Sequence, residues 1–350
     1  MSASGTWRAR LLEGPPRTLV SRALVLATLV FVVAWVAYKA SGDPKVFVIV
    51  TLNGLTLAGL YFVVSSGFTL IFGLMRFVNM AHGSLYMLAG FFAFELQERM
   101  TGGEATSAFG TSEATFAEWI VPLLVAAVVV GAMGLVMQQL FLRWTQGQEL
   151  RQALITIAIS IIIADQAVAH FGGIAEEIAA PSNFPESTEI RIYGLSYPFF
   201  RLFVLLVAVA LGIALWLTIK RTRFGMIVRA GVDDRQMVSA IGINIQLVFA
   251  GAFFLGSLLA GLGGVLGGTM ITVDKGNDTQ YLLIALIVVI IGGMGSLGGA
   301  ALGALALGLV DSFGDVYLPE GYTNYSILLI FGMLVLVLAV RPLGLFGRPA

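Results

Sequence analysis

Long apolar segments constrain the fold of this chain more than any other feature of its sequence. A membrane-spanning helix needs about 20 apolar residues in a row, and ten segments meet or approach that length. They lie near residues 22–39, 46–72, 77–97, 119–142, 153–171, 198–219, 246–270, 281–297, 298–311 and 325–340. The sequence therefore predicts an all-α, polytopic transmembrane helix bundle of about ten helices.

The composition excludes several other classes of protein. Hydrophobic residues make up 58% of the 350 positions and charged residues 11%, whereas soluble domains carry roughly 25% charged residues. The 20 Lys and Arg balance the 20 Asp and Glu, so no basic excess is available for nucleic acid. The chain has no cysteine and two histidines, His82 and His170. We find no nucleophile, metal-ligand or cofactor motif, and we expect neither an enzyme nor a bound metal or cofactor.

The distribution of Lys and Arg predicts the orientation in the membrane. With a cytoplasmic N-terminus and ten crossings, 14 of the 20 basic residues fall on the cytoplasmic side and 6 outside. The outer six are Lys39, Lys45, Arg99, Arg191, Arg201 and Lys275. Both termini are therefore expected in the cytoplasm. Residues 1–45 would form an N-terminal arm with an additional first helix, retained rather than cleaved as a signal, and residues 46–350 the transmembrane domain.

Glycines mark places where plain helices are interrupted or packed closely. The cluster Gly292, Gly293, Gly295, Gly298 and Gly299 predicts either a tight turn between two short crossings or unwound backbone inside the bundle. Its Gly-x-Gly-x-x-Gly spacing does not indicate a dinucleotide site, because no βαβ unit surrounds it. Pairs such as Gly263/Gly267 predict close helix packing, within the chain or at a subunit interface.

The segment 220–245 is the least apolar long stretch. We expect one or two short helices with a break near Gly231, Asp233 and Asp234 in a first turn, and Gly242 as a helix stop. Such a segment could lie on the lipid surface or insert into the groove of a cytoplasmic partner. The residues alone leave both possibilities open.

Polar residues inside predicted spans are candidates for a translocation path. They are Asn53, Thr56, Asn79, His82, Asp165 and Gln166. Asp165 could face a water-filled path, bind a solute amine, pair inside the bundle or reach water near the end of its helix. Asn79 and His82 could belong to the path or to a hydrogen-bonded network inside the bundle, with Asn53 and Thr56 as partners. Asp311 is expected at the end of its segment, in contact with water.

Ordered motifs are spread between residues 47 and 349. They include Asn53-Gly54-Leu55-Thr56-Leu57-Ala58-Gly59-Leu60-Tyr61, Asn79-Met80-Ala81-His82-Gly83, Arg229-Ala230-Gly231-Val232-Asp233-Asp234, Gly292-Gly293-Met294-Gly295-Ser296 and the closing Arg341-Pro342-Leu343-Gly344-Leu345-Phe346-Gly347. Together they resemble the permease subunits of branched-chain amino acid ABC transporters. The N-terminal arm and the pair Asp165-Gln166 depart from the usual pattern of that family.

The resemblance implies an importer subunit of the bacterial inner membrane that moves small polar solutes, namely branched-chain amino acids, by alternating access. Its partners would be a second permease subunit, two cytoplasmic ATPases that bind ATP and Mg²⁺, and an extracytoplasmic solute-binding protein. The implied ATPase-coupling residues are Arg229, Ala230, Gly231, Asp233, Asp234, Met237, Ala240, Gly242, Ile243 and Asn244. Urea or short amides are alternative solutes within the same architecture. A proton-coupled secondary transporter is the alternative mechanism.

Overall fold

The computed structural model describes residues 38–39, 41–102, 114–181, 189–192, 195–233, 235–318 and 325–347. The predicted first helix near 22–39 falls almost entirely outside these ranges and stays a prediction, as does the N-terminal arm before it. The other nine predicted segments all correspond to helices in the structure. The chain is an all-α helix bundle with one small hairpin in the part that is described.

Eleven α-helices are present in the described ranges. They are α1 (Pro44–Met75), α2 (His82–Thr101), α3 (Phe116–Met137), α4 (Glu149–Phe171), α5 (Phe199–Arg221), α6 (Arg223–Asp233), α7 (Arg235–Ala240), α8 (Ile245–Met270), α9 (Asn277–Gly292), α10 (Leu297–Tyr317) and α11 (Ser326–Val340). Strands β1 (Glu189–Ile192) and β2 (Leu195–Pro198) pair antiparallel before α5. A π-helical turn (Gln138–Leu142) and a 3₁₀ turn (Arg143–Thr145) extend α3.

Six of these helical segments are long and apolar enough to cross a membrane, namely α1, α3 with its extension, α4, α5, α8 and α10. Helices α9 and α11 are shorter but apolar. Helix α2 has 20 residues and carries Glu95, Glu98 and Arg99 in its last two turns. These helices define a multi-pass membrane protein.

The long helices alternate in direction, so their ends gather at two opposite ends of the bundle. At one end the start of α1 meets the start of α5 through Asn53 and Arg201, and Trp119 of α3 donates to Thr269 of α8. We call this the hairpin end, because β1 and β2 lie there. At the other end, the short-helix end, α6 and α7 connect α5 to α8. There Gln146 and Gln246 bond to each other.

Small residues let the helices of the centre approach at backbone distance. A Cβ placed on Gly264 would overlap the backbone of Tyr86, and one on Gly67 would overlap the backbone of Gly256. Lipid offers no hydrophobic drive for helices to associate, so close van der Waals contact of this kind supplies much of the stabilisation. At Gly263, Gly264 and Gly267 the glycine stripe packs within the chain, against α1 and α2.

The predicted glycine cluster lies in a tight turn between α9 and α10. Gly293 and Gly295 have positive φ angles of 100° and 79°, a region that favours glycine. A Cβ on Gly299 would overlap the backbone of Gly292, so the two helix ends touch directly. The C-terminal segment folds back onto this turn, where the Leu345 and Phe346 amides donate to the carbonyls of Ile291 and Gly292 at 2.8 and 2.9 Å. We call this turn, residues 292–299, the elbow.

Candidate functional site

A cavity of about 250 Å³ opens at the hairpin end between α1, α5, the end of α8 and α10. It contains one cation, one anion, several hydrogen-bonding groups and apolar side chains. Its lining residues are Asn53, Thr56, Leu57, Arg201, Met270, Ile271, Ser312, Asp315 and Val316. This is a mixed polar and apolar site that is open to one end of the bundle.

The packing of α1 against α10 explains why space exists there. Just below the cavity the two helices touch at Gly54 and Gly308, where a Cβ on Gly308 would overlap the α1 backbone. Farther toward the hairpin end the residues become larger and polar, and Ser312 donates to the Val50 carbonyl at 2.8 Å. Helices α1 and α10 are therefore in contact below the cavity and beside it. Side chains line the space between these contacts but do not fill it.

Hydrogen bonds hold Arg201 at the edge of this cavity. Its Nη1 donates to Oδ1 of Asn53 at 2.7 Å. Its carbonyl lies 3.4 Å from the hydroxyl of Thr56, which also lies 3.0 Å from the hydroxyl of the buried Tyr197. Tyr197 belongs to β2, and burial raises the pKa of its phenol. The hairpin thus fixes the first turn of α5 against α1.

The two charges of the cavity are not paired with each other. Arg201 is half-buried and Asp315 is exposed, and no nitrogen–oxygen pair between them lies within 4.0 Å. Among the side chains that the structure describes, no other carboxylate lies within that distance of Arg201 either. A guanidinium has five N–H donors, and the described hydrogen bonds use one of them.

A chain of tyrosines lies one helical turn deeper than the cavity. Tyr61 donates to the half-buried carboxylate of Asp311. Its ring meets that of Tyr281 edge-on at 6.5 Å, and Tyr281 stacks on Tyr86 at 3.8 Å. The prediction that Asp311 lies at the end of its segment is wrong, because α10 continues six residues farther to Tyr317.

Asn79 and His82 lie far from the cavity, at the sealed junction of α1 and α2. Both are at most 1% exposed. The His82 Nε2 lies 3.0 Å from the Val64 carbonyl, and Asn79 accepts from the Ala81 amide at 3.2 Å. Val64 follows Thr56 by eight residues, which is about 12 Å along a helix. The structure therefore does not bring His82 together with Asn53 or Thr56.

Asp165 and Gln166 lie in a third place, on the exposed face of α4. This helix contacts the rest of the chain mainly through α2 and the end of α3, and neighbouring Ile161 and Ile162 are more than 60% exposed. Asp165 precedes the end of α4 by six residues, or about 9 Å. The six predicted path residues thus fall into three separate groups within one chain.

The segment 220–245 forms two short helices against the bundle. Val228 and Val238 are buried, whereas Met226, Met237 and Ile241 are 57–67% exposed. This arrangement leaves apolar side chains on an outward surface at the short-helix end. We call it the α6–α7 surface.

Some of the predicted coupling residues are exposed on the α6–α7 surface, and others are buried beneath it. Those that are exposed are Arg229, Ala230, Met237, Ala240, Gly242 and Asn244, whereas Gly231 is buried and Ile243 half-buried. Gly231 lies inside α6, which continues to Asp233, so α6 is not broken at Gly231. Asp233 is the last residue of α6 rather than part of a first turn, and Asp234 lies outside the described residues. Gly242 follows α7 with a φ of 85°, as a helix stop requires.

Arg201, Ser312 and Asp315 are site residues that sequence reasoning missed. They are separated from Asn53 by at least 148 residues, so no local spacing links them. A signal for Arg201 was available, because it is a cation at the start of the apolar segment 198–219. For Asp315, which follows the predicted segment 298–311, the sequence offers only the neighbouring Asp311 as a hint.

A second, more acidic groove lies at the hairpin end between α2 and α4. Glu95, Glu98, His170 and Glu176 line it. Partial burial, and then the nearby Glu98 carboxylate, raise the pKa of Glu176 above its usual value. No group of three potential metal ligands is present among the residues described.

The bundle of long apolar helices defines a polytopic membrane protein. The family described as the permease component of the branched-chain amino acid transport system matches residues 50–338. The chain belongs to this family. It is a transporter permease subunit, not an enzyme.

Two curated relatives match across most of their length. The high-affinity branched-chain amino acid transport system permease protein BraD of Pseudomonas aeruginosa is 30% identical, over 85% of this chain and 95% of BraD. The LivH permease protein of Salmonella typhimurium is 29% identical, over 85% of this chain and 94% of LivH. The solved structure of PsaBC from Streptococcus pneumoniae in complex with Fab has a TM-score of 0.46 and 11% identity, covering 90% of this chain and 98% of that chain.

Proposed function

We propose that this chain is one membrane subunit of an ATP-driven importer that moves branched-chain amino acids by alternating access. The names of BraD and LivH support the solute class. The sequence contains no Walker A motif, so ATP and Mg²⁺ would bind to two partner ATPases. A second permease subunit would complete the membrane part, and a solute-binding protein would deliver the amino acid.

The α6–α7 surface is the observation that carries the proposed mechanism. Its exposed Met226, Met237 and Ile241 stand on helices that are anchored by buried Val228 and Val238. An apolar helix face of this kind suits a hydrophobic groove on a partner. Motion of an ATPase would then reach α5 and α8 directly, because α6 and α7 connect them. ATP would bias the two states only by binding one of them more tightly.

The basic residues support the orientation that this mechanism needs. The short-helix end carries Arg76, Arg143, Arg151, Lys220, Arg221, Arg223, Arg229 and Arg341, whereas the described cations of the hairpin end are fewer. Positive loops face the cytoplasm in most membrane proteins. The short-helix end would therefore face the ATPases, and the hairpin end would face the solute-binding protein. Both termini would be cytoplasmic.

Reconstitution tests the solute and the energy source together. The chain would be placed in liposomes with the membrane subunit, ATPases and binding protein encoded beside it, and uptake of labelled leucine would be measured. We expect uptake that requires ATP and that excess isoleucine blocks, but excess urea does not. Uptake of urea instead of leucine would contradict the solute. Uptake driven by a proton gradient without the ATPases would contradict the mechanism.

The coupling role predicts a specific effect of charge on the α6–α7 surface. Ile241→Asp would bury an unpaired carboxylate in an apolar interface, and we expect about a tenfold loss of co-purifying ATPase. Leu343→Asp is the matched control, because Leu343 is 48% exposed at the same end but outside the surface. Equal ATPase recovery from the two variants would contradict docking at this surface.

A further inference from the structure

The cavity at the hairpin end combines features that suit one class of solute. We propose that it is a subsite for a zwitterionic aliphatic amino acid, in which Arg201 binds the carboxylate and Asp315 binds the ammonium group. This inference rests on the proposed function and assigns residues to it. It differs from the predicted path, which included Asn53 and Thr56 but neither of the two charged residues.

The state of Arg201 supports its assigned role. Its described side-chain hydrogen bond goes to the neutral amide of Asn53, which orients the guanidinium without neutralising it. The planar fork of donors that remains matches a carboxylate in a bidentate way. The backbone contact with Thr56, itself beside Tyr197, fixes the start of α5. Arg201 is therefore positioned in advance rather than free to fold away from the cavity.

Asp315 supplies the opposite charge within the same cavity. A carboxylate accepts the three donors of an ammonium group well. Because Asp315 and Arg201 are more than 4.0 Å apart, they do not form an ion pair, and a solute can lie between them. A carboxylic acid without an amine would pair with Arg201 but leave Asp315 facing an anion. Such a mismatch gives selectivity by repulsion.

The rest of the lining suits an aliphatic side chain. Leu57, Met270, Ile271 and Val316 present apolar surface to the cavity, and covering it removes that surface from water. The volume of about 250 Å³ is slightly below the roughly 300–1,000 Å³ of sites for drug-sized ligands. A molecule of amino-acid size is therefore the appropriate occupant. Urea could bond to both charged groups but would neutralise neither of them, and it would leave the apolar wall uncovered.

The test uses the complete transporter in liposomes, with saturating leucine-loaded binding protein. The variants are Arg201→Gln, Asp315→Asn and the double variant, and the readouts are leucine delivered per ATP hydrolysed and the thermal midpoint of the complex. Each single variant should lower leucine per ATP about tenfold, since each removes a charged hydrogen bond. Arg201→Lys should have a smaller effect, because it keeps the charge but loses the fork. Lys275→Gln and Asp278→Asn remove similar charges at the same end outside the cavity and should leave both readouts unchanged.

The outcomes separate this inference from the proposed function. If the wild-type complex imports leucine and both single variants match it within twofold, the subsite is wrong and the proposed function stands. If the double variant regains wild-type coupling, the two residues stabilise each other and do not bind the solute. If the wild-type complex carries urea and not leucine, both proposals fail. A double variant that is at least as impaired as either single variant supports the subsite.

Discussion

Polar side chains at two levels along α1 lie in opposite surroundings. At the hairpin end, Asn53 and Thr56 border an open cavity that contains unpaired charges. About 12 Å farther along α1, His82 bonds to the carbonyl of Val64 in a site that is closed to solvent. Both groups come from conspicuous sequence motifs. The difference shows that intramembrane polarity alone does not identify a path, because the packing around the polar group decides whether a solute can reach it.

The largest expected effect comes from disrupting the elbow, where α9 and α10 touch at the short-helix end. Gly299→Ala would force its Cβ into the backbone of Gly292, and overpacking of this kind costs about 1–3 kcal/mol or more. We expect a lower thermal midpoint and less monodisperse protein by size-exclusion chromatography. Gly298→Ala is the matched control in the preceding position of the same helix, since its Cβ would meet nothing within 4 Å. Alanine there should be neutral or stabilise by about 0.5–1 kcal/mol.

Equal thermal midpoints for the two variants would mean that the elbow tolerates separation of α9 from α10. The short-helix end would then not be sealed by backbone contact, and the contrast with the hairpin end would weaken. A loss confined to Gly299→Ala would confirm that the glycine motif serves packing at this end.

The next prediction compares the closed site around His82 with the open cavity directly. His82→Leu should lower the free energy of unfolding by about 1 kcal/mol for the lost hydrogen bond, which is measured as a lower thermal midpoint, while leucine transported per folded complex stays unchanged. Asn53→Leu should do the reverse, because it removes the support of Arg201 at a half-exposed position. Transport would fall several-fold with little change in midpoint. If both variants lose transport equally at equal stability, the sealed site takes part in translocation and the comparison fails.

Much of the fold could be predicted from the sequence. Continuous apolar runs located every long helix of the described ranges, because lipid requires such runs. The start of α2 was placed five residues early. Residues 77–81 are apolar except for Asn79, and Phe77 is buried against Phe253, but their backbone is irregular. The break between α1 and α2 begins at Arg76, a non-glycine residue in the left-handed region with a φ of 57°. No glycine or proline marks this position, so the sequence does not predict the break.

The candidate site was less predictable, because it is assembled from four distant elements. Asn53 was found from its motif, whereas Arg201 and Asp315 become neighbours of Asn53 only through the packing of α5 and α10 on α1. Asp165 attracted attention as a charge within an apolar run, yet α4 contacts the bundle along one side and turns Asp165 outward. The hairpin that anchors Arg201 was not predicted, since two strands of four residues give little periodicity.

The smallest expected effect concerns pH and would sharpen the contrast between the two ends. Glu176 lies in the acidic groove of the hairpin end, near Glu98, Glu95 and His170, and its backbone pairs with Val273 at 2.7 and 2.8 Å. Burial and Glu98 raise its pKa in the folded state. The folded protein therefore binds this proton more tightly than the unfolded chain does. Its contribution to stability is complete at acidic pH and is lost as the pH rises through the raised pKa.

Glu176→Gln should accordingly stabilise the protein slightly at pH 7 to 8, within the roughly 0.5 kcal/mol typical of surface substitutions, and should match the wild type near pH 4. Thermal midpoints across that range measure the difference. Glu98→Gln is the companion variant, because it removes one cause of the raised pKa of Glu176 and should flatten the same pH dependence. A Glu176→Gln variant that is less stable than the wild type at neutral pH would show that the carboxylate has a favourable partner when ionised. The groove would then be a stabilising charge cluster, in contrast to the cavity around Arg201, whose two charges are not paired with each other.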